Sequence, residues 1–67
     1  MNMNLVRDSF QVGDKVEIRL DRGIRKYGTV IGVYDDFILV NRGRFRERYL
    51  YVDMWIGEVG IVPQKAA

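Results

Sequence analysis

A chain of 67 residues without histidine or cysteine holds one domain, and it excludes disulfide staples, the usual zinc ligands and the familiar nucleophile–base pairs of hydrolases. Eleven basic against nine acidic residues leave a net charge of +2, too small to name an anionic partner by itself, while 48% apolar residues place the chain among folded domains. A domain this small buries only roughly 60% of its unfolded surface, so oligomerisation is the common remaining support.

Residues 1–9 read as a flexible N-terminal arm with room for one helical turn through Leu5 and Val6. They lack the basic and apolar regions of a secretory signal, and no apolar run nears the roughly 18 residues that cross a bilayer. The expectation is therefore a cytoplasmic protein with no membrane partner. Phe10-Gln11-Val12 leads to Gly13-Asp14, a tight turn whose aspartate bonds nearby backbone.

From there three strands follow in succession. In residues 15–20, Val16, Ile18 and Leu20 alternate with Lys15, Glu17 and Arg19, the period-2 pattern of a half-buried strand. Asp21-Arg22-Gly23 is a turn. Residues 25–34 form a second strand with apolar residues on both parities: Tyr27, Ile31 and Val33 on one, Val30 and Tyr34 on the other. Gly28 and Gly32 explain this, since glycine inside a strand marks a bulge or bend, and a bent strand serves both halves of a small barrel. Asp35-Asp36 is a hairpin turn, and Phe37-Ile38-Leu39-Val40 is the third strand.

Residues 41–48, Asn-Arg-Gly-Arg-Phe-Arg-Glu-Arg, read as a loop or an exposed hairpin corner. Tyr49-Leu50-Tyr51-Val52 predicts a fourth strand, residues 53–57 a helical turn or kink, and residues 59–62 a fifth strand stopped by Pro63. The expected architecture is all-β: a five-stranded, SH3-like small barrel over residues 10–63, with a tail at 64–67. The runs 37–40 and 49–52 are apolar on both faces, which leaves an outer patch for a partner. A homo-oligomer is the preferred occupant; the alternative is that the arm, the loop and the Trp55 region fold over that face.

The basic segment is the leading candidate site. Arg42, Arg44, Arg46 and Arg48 recur at every second position, so in extended conformation all four project one way. Phe45 and Tyr49 then lie opposite or flank the row. Guanidinium groups bind phosphate oxygens bidentately and aromatic rings stack on unpaired bases, so the segment points to RNA or DNA, with Arg22, Arg25 and Lys26 extending the patch. The competing reading is a solvated charged loop that protects a sheet edge. Asp35-Asp36 reads as turn chemistry, and Glu47, Asp53 and Glu58 are scattered, so no metal or cofactor is expected. Ser9 and Thr29 are the chain's hydroxyl pair and neither has a base to activate it. Gly23 and Gly28 have the spacing of a phosphate loop, but they lie between strands and no Lys-Ser/Thr follows. Trp55, with Met54 and Ile56, reads as core or interface.

Gly13-Asp14-Lys15-Val16 with Tyr27-Gly28-Thr29-Val30-Ile31-Gly32-Val33-Tyr34 resembles the opening of SH3-like barrels, including KOW-type domains. The same positions are similar to the plasmid-borne type II dihydrofolate reductases, tetramers with a central pore; this resemblance implies binding of NADPH and folate by residues 49–52. Those residues read Tyr-Leu-Tyr-Val where the reductases carry Val-Gln-Ile-Tyr. A further likeness, to Sm/Hfq-like RNA-binding rings, rests on Val16, Ile18, Leu20, Gly23, Gly28 and Val30, then Asp35 with Phe37-Ile38-Leu39-Val40. One extra residue separates the two halves, and a bulge near Gly32 absorbs it. The expected function is a non-enzymatic module that contacts nucleic acid. The alternatives are a reductase-like oligomer and a protein-interaction accessory module of phage or mobile-element origin.

Overall fold

The computed structural model describes residues 3–64; the first two residues of the expected arm and the last three of the expected tail lie outside them. Helix α1 spans Met3–Arg7, β1 Lys15–Arg19, β2 Arg25–Val33, β3 Phe37–Asn41, β4 Arg46–Leu50, helix α2 Tyr51–Trp55 and β5 Gly60–Pro63. A single 3-10 turn, Asp21–Gly23, joins β1 to β2. The five strands make one antiparallel sheet ordered β4-β3-β2-β1-β5, a topology compatible with an SH3-like small β fold. Among the described residues no ladder joins β4 to β5, and α2 carries the chain between these two edges.

Alternation decides what each strand buries. Val16 and Ile18 of β1, Val30 of β2, and Ile38 and Val40 of β3 all point inward and are essentially inaccessible. Phe10, Tyr51 and Val59 close the core from the connecting segments, with Val6, Leu20, Val33, Tyr49, Met54 and Ile61 packed around them. Each fully buried aliphatic side chain here contributes about 1.5–3 kcal/mol of transfer free energy.

The two-parity pattern of β2 has a geometric cause. Val30 faces Val40, yet Gly32 faces Leu39, so Ile31 is an extra residue in a bulge. The bulge shifts the parity and lets both Val30 and Val33 face the core. Gly32 then leaves room for the Tyr34 ring, because a Cβ there would meet Tyr34 Cε2 at 2.5 Å.

The fourth strand differs from the sequence expectation. Residues 46–50 form β4, whereas Tyr51 and Val52 open α2. An edge strand buries one face only, so Glu47 and Tyr49 turn inward while Arg46, Arg48 and Leu50 face out, and a continuous apolar run is not required. Tyr51 instead plugs the core: its backbone N–H donates to the Asp36 carbonyl at 3.0 Å and its hydroxyl donates to the Tyr34 carbonyl at 2.6 Å. These bonds pin the start of α2 to the β2–β3 hairpin.

The expected helical turn at Leu5 and Val6 is present as α1, which packs against α2. Arg7 reaches Asp35 at 3.3 Å. The Gly13-Asp14 turn also forms as expected, with Asp14 Oδ2 accepting from the Gln11 N–H at 2.9 Å. Among the described residues no helix is long and apolar enough to cross a membrane.

Candidate nucleic-acid interface

The register fixes where the two basic turns lie. Arg25 sits opposite Arg19, and Thr29 opposite Asn41, so the β1–β2 and β3–β4 turns point the same way along β2 but are offset from Arg25 to Thr29. The β2–β3 turn lies at the far end. Arg22, Arg25 and Lys26 therefore gather at the β1–β2 turn, and Arg42, Arg44 and Arg46 at the β3–β4 turn.

The β3–β4 hairpin closes tightly. Arg42 N–H donates to the Phe45 carbonyl at 2.7 Å around a two-residue turn, Gly43-Arg44. Gly43 has φ 86°, the positive value that a type II′ turn demands at its first central position. Asn41 Oδ1 accepts from the Gly43 N–H at 3.1 Å and holds the turn.

The turn also breaks the arginine row. Arg46 and Arg48 lie on the outer face of β4, Arg44 stands at the turn and is exposed, and Arg42 falls on the opposite face. There Arg42 is mostly covered and its guanidinium bonds Glu47 closely. Four guanidinium groups on one face was the extended-chain expectation; the structure aligns two of them. Arg44 and Arg46 have no hydrogen-bond or ion-pair partner among the described residues. Arg48 lies over the Phe37 ring at 5.5 Å, and Phe37 stacks on Tyr34 with centroids 4.8 Å apart.

The two aromatic candidates differ as well. Phe45 is 64% exposed at the turn. Tyr49 points inward and its hydroxyl donates to Glu47 Oε2 at 2.6 Å, so its ring packs on the core instead of offering a face to solvent. Burial first, then the bond to Glu47, pushes the Tyr49 hydroxyl up to about 12. The same hydroxyl, helped by the charges of Arg42 and Lys26, holds the Glu47 carboxyl below its usual range against the cost of desolvation.

In the first hairpin, Arg25 is committed to Glu17. That carboxylate lies on the outer face of β1 yet is only 5% exposed, because Arg19 bonds Oε2 at 3.1 Å and Arg25 approaches Oε1 at 3.3 Å. Its negative charge is thereby neutralised. Arg22 sits in the turn at φ 63° with its side chain exposed.

Sequence reasoning missed a concavity beside the β3–β4 turn. Its volume is about 380 Å³, and Lys15, Tyr27, Thr29, Asn41, Arg42 and Gln64 line it. The signal was available: Tyr27 and Thr29 share the outward parity of β2 with no apolar partner to cover them. Residues 49–52, the stretch aligned with the pore strand of the reductases, bend from β4 into α2 after Leu50. No protein family, curated protein or solved structure matches this chain.

Proposed function

We propose that this chain is a non-enzymatic SH3-like barrel module that contacts the phosphate backbone of nucleic acid. Its contact surface is centred on the β3–β4 turn. The observation that carries this reading is that Arg44 and Arg46 are exposed there beside Phe45, with no hydrogen-bond or ion-pair partner among the described residues. Such guanidinium groups are free to meet phosphate oxygens bidentately. Arg48, over Phe37, and Arg25, bonded to Glu17, keep outward N–H groups and assist. Arg42 and Tyr49 serve the hairpin from within.

The test is a binding titration of oligonucleotides over a range of salt. The logarithm of the affinity falls linearly with log salt, and Arg44→Glu and Arg46→Glu each reduce the slope by about one phosphate contact. A salt-independent interaction, or unchanged slopes in both variants, overturns the proposal.

The module is further proposed to self-associate. Its support is an apolar groove of about 520 Å³ between α1, α2 and β5, edged by the exposed Leu5 and Trp55. The outer edges of β4 and β5 also lack partner strands among the described residues.

A further inference from the structure

The concavity at Tyr27 has the makings of a base-binding site that adjoins the arginine turn. Tyr27 is 61% exposed on the outer face of β2, so one face of its ring is open to solvent. A phenol exposed at mid-strand gains little from folding, and its available chemistry is stacking. Thr29 stands two residues on along the same face, next to Asn41 across the ladder and Lys15 on the other side. Gln64 flanks Lys15, to which its backbone N–H is bonded at 2.6 Å.

The polar groups there are mostly neutral. Asn41 spends its Oδ1 on Gly43, which leaves its amide N–H groups as donors. The Thr29 hydroxyl and the Gln64 amide have no hydrogen-bond partner among the described residues. Two amides and a hydroxyl offer donors and acceptors that match the edge of a base. The charged groups lining the concavity, Lys15 and Arg42, are cations; of the carboxylates bonded nearby, Glu47 is held by Arg42 and Glu17 by Arg19 and Arg25. A wall of this kind, with an exposed ring beside neutral donors and acceptors and a cation, suits an unpaired base with its phosphate better than an apolar side chain.

We infer that Tyr27 stacks on an unpaired nucleobase of a single-stranded nucleic acid, with Thr29, Asn41 and Gln64 meeting its edge and Lys15 its phosphate. This rests on the nucleic-acid reading above and narrows it to single strands. The strand then runs from the arginine turn across the outer face of β2, because the concavity shares Arg42 and Gly43 with that turn. A duplex, whose bases are already stacked, reaches the arginines only.

The experiment measures fluorescence anisotropy of a labelled mixed-sequence single strand and of the matching duplex. The proteins are the full chain, Tyr27→Ala, Tyr27→Phe and the double variant Arg44→Glu/Arg46→Glu. Loss of one base stack lowers single-strand affinity about tenfold in Tyr27→Ala, with the salt slope and duplex affinity unchanged. Tyr27→Phe keeps the ring and retains binding. Tyr27 is exposed, so both variants keep their circular dichroism and melting temperature. Equal affinity of Tyr27→Ala and the full chain for the single strand overturns this inference. So does a parallel loss on both probes, or a Tyr27→Phe defect as large as that of alanine. If Arg44→Glu/Arg46→Glu weakens the duplex while Tyr27→Ala changes nothing, the backbone reading stands and the base site falls. Binding of neither probe overturns both.

Discussion

At the level of single residues, the chain places its charges according to what each backbone position exposes. Glu47 and Arg42 lie on the inner side of the β3–β4 hairpin, where isolated charges would be costly, and they are found bonded to each other and to Tyr49. The Tyr49 hydroxyl is raised to about 12 from an ordinary value of about 10. A raised folded-state value means that the protonated phenol favours the fold. That stabilisation is complete below about pH 10 and is lost as pH rises through about 12. An ultraviolet titration of tyrosinate should show two late-titrating phenols, Tyr49 and Tyr51, whose hydroxyl burial also pushes up, and Tyr49→Phe should remove one of them. If that variant keeps the late component at full amplitude, Tyr49 is not one of the late phenols.

At the level of elements, β2 is the organising strand because it pairs with β1 from Arg25 to Thr29, with β3 from Thr29 to Val33, and carries the bulge. Gly28 is there for space: a Cβ would lie 2.5 Å from Val40 Cγ1, 2.8 Å from the Asn41 carbonyl oxygen and 3.0 Å from Arg42 Cγ. Val40 is a stiff core side chain and the Asn41 oxygen is backbone, so neither yields cheaply. Gly28→Ala should destabilise the fold by about 2 kcal/mol, lowering the melting temperature by roughly 10 °C, through overpacking at the base of the β3–β4 hairpin. Thermal denaturation checks this, and a melting temperature equal to that of the parent would refute the close approach. The sequence reading treated Gly28 and Gly32 alike. Only the register separates them, one admitting a neighbouring strand and the other accommodating a ring beside a bulge.

Pro63 makes a related point about the sheet's edge. Gln64 and Lys15 are a hydrogen-bonded pair, so the alternation of an antiparallel ladder puts Pro63 at a non-bonded position facing outward. Its missing N–H therefore costs β5 nothing and blunts the open edge.

At the level of the whole molecule, among the described residues the sheet has two unpartnered outer edges and eleven large apolar side chains remain exposed, Leu5, Ile56 and Trp55 among them. In so short a chain the core saturates before the apolar residues are used up. If a second copy covers the α1–α2–β5 groove, light scattering should give a multiple of the monomer mass, and Trp55→Glu should return it to monomer. Monomer mass across the accessible concentration range would rule out self-association.

Much of the architecture was legible because it depends on local signals. Period-2 alternation in residues 15–20, the Asp35-Asp36 turn and the glycine-interrupted second strand each report a backbone geometry that the nearest residues dictate. The limits of β4 were not legible. Tyr49, Leu50, Tyr51 and Val52 form one apolar run in sequence, but the first two complete an edge strand and the third turns inward as the plug of the core. That choice belongs to the whole fold, since the Asp36 and Tyr34 carbonyls that capture Tyr51 come from a hairpin assembled elsewhere.

The arginine row obeys the same division. Sequence alone determined that basic residues cluster between two strands and that neither histidine nor cysteine chemistry is available. Tertiary structure decided which of those arginines are free: a two-residue turn at Gly43 rotates Arg42 toward Glu47 and leaves Arg44 and Arg46 facing water. The physical reason is range. Alternation and turn propensity act between neighbours in the chain, whereas ion pairing and burial are set by strands that meet only once the sheet has formed.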